Sequence, residues 1–158
     1  MKVLLNRPEL LVAERAHLVV LLMREPPDDR AFEDCGRLVL EVMERQAPVS
    51  VLVYIPKLGG PLRPLNASRE NQKAFIDLFT REAARYLGTA IVVRAGGLAG
   101  QMIRMTVNGI VMLSSLPRPL RVFGNLADGV GFLETLPHQR AELKDSAQLL
   151  EELTALPE

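Results

Sequence analysis

Along this chain, short apolar runs alternate with longer stretches in which apolar residues recur at helical spacing. Leu10 to Ala13 and Leu18 to Met23 are apolar runs joined by Glu14-Arg15-Ala16-His17, a pattern that predicts an antiparallel hairpin with a polar link. Lys2 to Leu5 is a short extended segment ahead of it, ended by Asn6-Arg7-Pro8. Pro26-Pro27 closes the second strand of the hairpin, because proline donates no hydrogen bond to a ladder. Asp28 or Asp29 then caps a helix in which Phe32, Cys35, Val39, Val42 and Met43 share one stripe, with Arg37, Glu41, Glu44 and Arg45 on the other side. Val49 to Ile55 is almost continuously apolar, as a central strand covered by helices would be.

After an irregular Pro/Gly stretch from Pro56 to Asn66, Ser68 is placed to cap a second helix. Phe75, Leu78, Phe79, Glu82, Ala83, Tyr86 and Leu87 fall on one face of that helix, and Gly88 is a C-cap candidate. Thr89 to Val93 is a β-branched strand, followed by the glycine loop Gly96-Gly97-Leu98-Ala99-Gly100. From Leu98 to about Leu113 the only charge is Arg104, so a helix there would be apolar on most of its faces. Pro117 and Pro119 precede a last strand, Leu120 to Phe123, and Asn125 or Asp128 opens a short helix through Leu136. After Pro137 a weaker amphipathic segment carries Leu143, Ala147, Leu150 and Leu153. The order predicts an α/β fold: a mixed, mostly parallel sheet with an N-terminal antiparallel hairpin, flanked by helices. Residues 1–137 form the domain and residues 138–158 a C-terminal helical tail.

Composition narrows the function classes. The chain has 158 residues, 48% hydrophobic, 24% charged, with a net charge of zero, which fits one globular domain rather than a basic nucleic-acid binder. Aromatics make up 4% with no Trp, leaving little material for stacking bases. The single cysteine, Cys35, has no internal partner and suits a reducing cytoplasm. Residues 1–11 carry no signal-peptide pattern, and Arg104 breaks the best run that could otherwise insert stably in a membrane.

Candidate chemistry is sparse. Gly96, Gly97 and Gly100 lead from a strand towards a helix start, a geometry that can hold an anion. Their spacing matches neither the dinucleotide fingerprint nor the Gly-Lys-Ser/Thr ending of a P-loop. His17 and His138 are expected to be exposed polar residues, with no ligand set at metal spacing. Cys35, on the apolar stripe, reads as a buried thiol. Asp28-Asp29 and Glu33-Asp34 belong to a helix start and its wet face, so no catalytic residue, metal or cofactor is assigned. The excess apolar surface of the Leu98–Leu113 helix points instead to a covered interface through Met102, Met105, Ile110, Met112 and Leu113. The expected partner is a second copy, giving a homodimer, or another signalling protein. The alternative is a small molecule or lipid held in an apolar pocket under that helix.

The hairpin, the Pro27-Asp28-Asp29-Arg30 helix start, the strand Val51-Leu52-Val53-Tyr54 and the ending from Pro119 to Leu133, with its Phe132-Leu133 pair, together resemble the STAS-like, anti-sigma-factor-antagonist-like bacterial domains. The resemblance covers roughly Glu9 to Leu136. It implies a mixed sheet flanked by helices and a cytoplasmic, non-enzymatic signalling or adaptor role. Many such domains carry a phosphorylatable residue at the helix start after the central strand. Ser68 is the equivalent here, as phosphoacceptor or helix cap, although the usual Asp-Ser-Ser-Gly type of motif is absent.

Overall fold

The computed structural model describes residues 1–56, 68–94, 118–137 and 145–156. Six strands form one mixed sheet: β1 (Lys2–Asn6), β2 (Leu10–Arg15), β3 (Leu18–Met23), β4 (Val49–Ile55), β5 (Tyr86–Val93) and β6 (Leu120–Phe123). They lie side by side in chain order. The β1/β2 and β2/β3 pairs are antiparallel, and the β3/β4, β4/β5 and β5/β6 pairs are parallel. The α/β class with an antiparallel N-terminal edge is therefore as the sequence predicts.

Strand alternation divides the core between two faces. Leu10 and Val12, Val19 and Leu21, and Val49 and Val51 point to one face. There α1 (Asp29–Gln46) and α2 (Arg69–Arg81) cover them. Leu11, Ala13, Leu18, Val20, Leu22, Leu52 and Tyr54 point to the other, into a cluster shared with α3 (Leu126–Glu134) and α4 (Ser146–Thr154). The connections through α1 and α2 both advance the sheet in the same direction. A right-handed crossover must then place both helices on the same face, side by side and parallel to each other.

Several local expectations are corrected. The polar link of the hairpin is shorter than predicted, because Glu14 and Arg15 are still strand residues and only Ala16 and His17 form the turn. Ala16 takes φ 49° there, the left-handed region a two-residue hairpin needs. His17 is buried, not exposed: its carbonyl accepts the Ser50 N–H at 2.9 Å, which tucks the turn against the start of β4. Glu14 is 8% exposed and is held by Lys2 at 3.0 Å and Arg45 at 2.7 Å. Partial burial pushes its carboxyl up, but the hydrogen bonds from Arg45 and Lys2 outweigh that and hold it below the usual carboxylate value.

The second helix stops at Arg81, and a 3₁₀ turn, Ala83–Arg85, leads directly into β5. Tyr86 and Leu87 are thus strand residues. The ladder slips between Tyr86 and Gly88, so Leu87 is an extra residue in a bulge, and Tyr86 and Leu87 fall on opposite faces. Gly88 is no C-cap. A Cβ there would lie 2.7 Å from the Pro119 carbonyl oxygen, so the glycine lets the lead-in to β6 close on β5. Gly129 plays the same part for α3, where a Cβ would stand 2.5 Å from Val92 Cγ2.

The C-terminal helix buries Leu149 and Leu153 rather than Ala147 and Leu150. Two ion pairs and a hydrogen bond fasten it: the Met1 amine reaches Glu152 at 2.8 Å, Arg15 reaches Glu152 at 3.4 Å, and Arg15 donates to the Gln148 side-chain oxygen at 2.8 Å. Both sheet edges are blunt. β1 is five residues long with an irregular register between Val3 and Leu5 and a lysine at its start, and β6 has four residues.

Candidate functional site

Ligands of open α/β sheets usually sit where the strand order reverses. Across the described strands the order never reverses, which moves attention from the sheet to the helix layer. The N-termini of α1 and α2 are neighbours there. Asp28 caps α1 by accepting the Ala31 N–H at 2.8 Å, and Ser68 caps α2 by accepting the Asn71 N–H at 3.2 Å. The Ser68 backbone N–H in turn donates to the Asp29 carboxylate, which holds the Asp29 carboxyl below its ordinary value. Asn71 Nδ2 donates to Glu33 Oε1 at 3.3 Å. These bonds tie the two helices together at one end.

Ser68 is therefore the helix cap anticipated from sequence. A phosphate on its Oγ would sit beside the Asp29 carboxylate, so added negative charge at this corner would push α1 and α2 apart. Replacing Ser68 by Ala should cost about 1 kcal/mol of stability, while Asn, which keeps a capping oxygen, should restore most of it. Urea denaturation of the two variants checks this, and equal midpoints for both would remove the cap from the account.

A surface groove of about 290 Å³ runs between the two helices from this end. Phe32, Gly36 and Leu40 of α1 line it at i, i+4 and i+8, a stripe separate from the buried stripe Cys35, Leu38, Val39, Val42 and Met43. Ala74, Phe75 and Leu78 line it from α2. Phe32 and Phe75 meet edge to face, with ring centroids 5.7 Å apart at 82°. Glu33 and Asn71 stand on the rim at one end, and Arg81 at the other. Arg37, on the rim between them, is held by Asp34 at 3.3 Å and Glu41 at 2.7 Å. Arg81 makes no ion pair among the described residues.

Gly36 is the unusual member. It sits in the interior of an 18-residue helix, where glycine costs about 1 kcal/mol relative to alanine. Packing does not call for it: a Cβ there would lie 3.7 Å from Phe75 Cδ2, an ordinary contact. Gly88 and Gly129 have a steric reason and Gly36 has none among the described residues. What the glycine provides is a low groove floor on which another chain can approach closely.

The groove's chemistry is that of contact. Its neighbour Cys35 turns inward, 2% exposed, and burial pushes its thiol up to about 12. The lining offers apolar surface and opposite charges at its two ends. Among the described residues no cluster of three His, Cys, Asp or Glu is arranged to hold a metal ion, and no helix is long and apolar enough to cross a membrane.

The interface candidates Met102, Met105, Ile110, Met112 and Leu113, and with them the expected homodimer contact and the apolar pocket beneath that helix, lie outside the described residues. So do Gly96, Gly97, Gly100 and His138. The groove itself escaped the sequence reading, although Phe32, Gly36 and Leu40 at four-residue spacing were its signal. Comparison of the chain with family models, curated proteins and solved structures yields no match.

Proposed function

We propose that this chain is a binding module that works through protein–protein contact, with the α1/α2 groove as its recognition surface. The observation that carries the reading is Gly36: a helix-destabilising residue at the floor of an aromatic-lined groove where the described neighbours leave room for a Cβ. Local rules are most often broken where function requires it. The likeness of Glu9 to Leu136 to STAS-like bacterial signalling domains points the same way, towards an adaptor rather than a catalyst.

The test fills the groove without harming the fold. Gly36→Leu adds a strong helix former whose side chain occupies the floor beside Phe75, so thermal stability should stay level or rise. Affinity capture from the lysate of the native host should retain a protein with wild type and lose that same protein with the variant. Identical captures by both forms would defeat the reading.

A further inference from the structure

We propose that β1 is a releasable edge strand: ion pairs fasten it, and each carboxylate in those pairs keeps a second cation when the strand leaves. Burial sets β1 apart from the rest of the sheet. All of β2 except Arg15 is buried, whereas no residue of β1 is. Val3 is 45% exposed, and Leu4 and Leu5 are only partly covered, against the α1/α2 side of the core. Among the described strands β1 pairs with β2 alone, and the register of that ladder shifts between Val3 and Leu5.

Charge supplies the rest of the attachment. The Met1 amine reaches Glu152 at 2.8 Å, Lys2 reaches Glu14 at 3.0 Å, and Arg7, just past the strand, pairs with Asp34. Each of these carboxylates is also held by an arginine outside the strand: Glu152 by Arg15 at 3.4 Å, Glu14 by Arg45 at 2.7 Å and Asp34 by Arg37 at 3.3 Å. Breaking a part-buried ion pair is costly mainly because one charge stays behind without a partner. Here every carboxylate stays paired, and the departing cations pass into water, where Lys2 is already 68% exposed. The second cation also weakens the first attraction, since it neutralises the carboxylate and repels its rival. Arg24 grips the far end, donating to Asn6 Oδ1 at 3.1 Å and to the Arg7 carbonyl at 2.6 Å, so the strand opens from Met1 and pivots near Asn6. Opening makes β2 the edge among the described strands and bares the main-chain groups that β1 covers. Salt screens pairs this close to the surface and leaves the apolar core intact, so ionic strength sets the local opening.

Native-state hydrogen exchange of the full chain, read residue by residue by NMR, tests the device. Raising sodium chloride from about 20 mM to about 500 mM should speed exchange of the β1 amides bonded to β2 by about fivefold and leave the β3 and β4 amides unchanged. Lys2→Gln should speed the same β1 amides by about threefold at low salt and reduce their salt response. Arg45→Gln separates a releasable strand from a merely weak one. With its second cation gone, Glu14 depends on Lys2 alone, so exchange of β1 should slow by about threefold, with β3 reporting any change in the whole fold. Arg37→Gln, at an exposed position, gives the same reading for Arg7 and Asp34 should Arg45→Gln not fold. Exchange of β1 as slow as that of β3, or indifferent to salt, would overturn the proposal. So would faster β1 exchange in the arginine variants with β3 unchanged.

Discussion

Raising the pH from 9 to 12 should unfold this protein, with two buried groups responsible. Burial pushes the Cys35 thiol from 9.0 to about 12. Burial likewise pushes the Tyr86 phenol from 10.0 to about 12, against the opposing effect of its hydrogen bond with Thr89. The unfolded chain releases these protons at their ordinary values while the folded chain still holds them. The unfolded state then binds fewer protons, so stability is intact below pH 9 and falls as pH rises through the window. Each group contributes a slope of about 1.4 kcal/mol per pH unit, and together they reach the order of the whole stability of a small domain. Urea midpoints taken at half-unit steps should fall from pH 9 and more steeply above pH 10. Tyr86→Phe should remove the steeper part, after a baseline loss of about 1 kcal/mol for the unpaired Thr89 hydroxyl. A thiol reagent at pH 8 should label Cys35 only as fast as the protein opens. A flat stability profile to pH 11, or immediate labelling of the native protein, would contradict this assignment.

The same buried residues show how much of the architecture could be read from the chain. Short apolar runs located the strands, and the helical stripe Phe32, Cys35, Val39, Val42 and Met43 located the buried side of α1 except for Phe32, which is only half-buried and lines the groove. Ser68 could be recognised as a cap, and Asp28 and Asn125 each as one of two candidates beside Asp29 and Asp128, because capping is a local bond between near neighbours. What the sequence hid is non-local. Glu14 and Arg15 looked like turn residues because the partners that let them enter the sheet, Arg45 and Glu152, come from distant elements. Tyr86 and Leu87 continued a helical pattern because a bulge interrupts the alternation that would have marked a strand. Gly88 looked like a helix end, although its reason lies in the Pro119 carbonyl packed against it.

The candidate site was hidden differently. A helix that packs on a sheet declares one apolar stripe, and a second stripe offset by about one position is easily absorbed into the first. Leu40, next to Val39, marks the divergence: Val39 is buried in the core, whereas Leu40 is only partly covered and lines the groove. Only the placement of α2 beside α1 turns Phe32, Gly36 and Leu40 into one wall of a site.

Stability and recognition should separate along the aromatic ladder that joins the groove to the core. Phe32 meets Phe75 edge to face at 5.7 Å, Phe75 meets Phe79 edge to face at 5.2 Å, and Phe79 tilts against Tyr86 at 4.9 Å, so the rings step inward from the surface to β5. Phe79 is 6% exposed and belongs to the core cluster beneath α1 and α2, so Phe79→Ala should cost about 3–5 kcal/mol. Phe32 is half-buried at the groove wall and loses mainly one ring contact, so Phe32→Ala should cost about 1 kcal/mol. If the groove is the recognition surface, the order inverts for binding. Phe32→Ala should then release the captured partner while the chain stays folded, as hot-spot aromatics do at the centre of an interface. Phe75, which touches both neighbours, should show an intermediate loss in each measurement. Denaturation midpoints and capture assays on the three alanine variants decide the matter. Equal destabilisation by Phe32→Ala and Phe79→Ala would make the ladder a uniform part of the core, and undiminished capture by Phe32→Ala would move recognition elsewhere on the molecule.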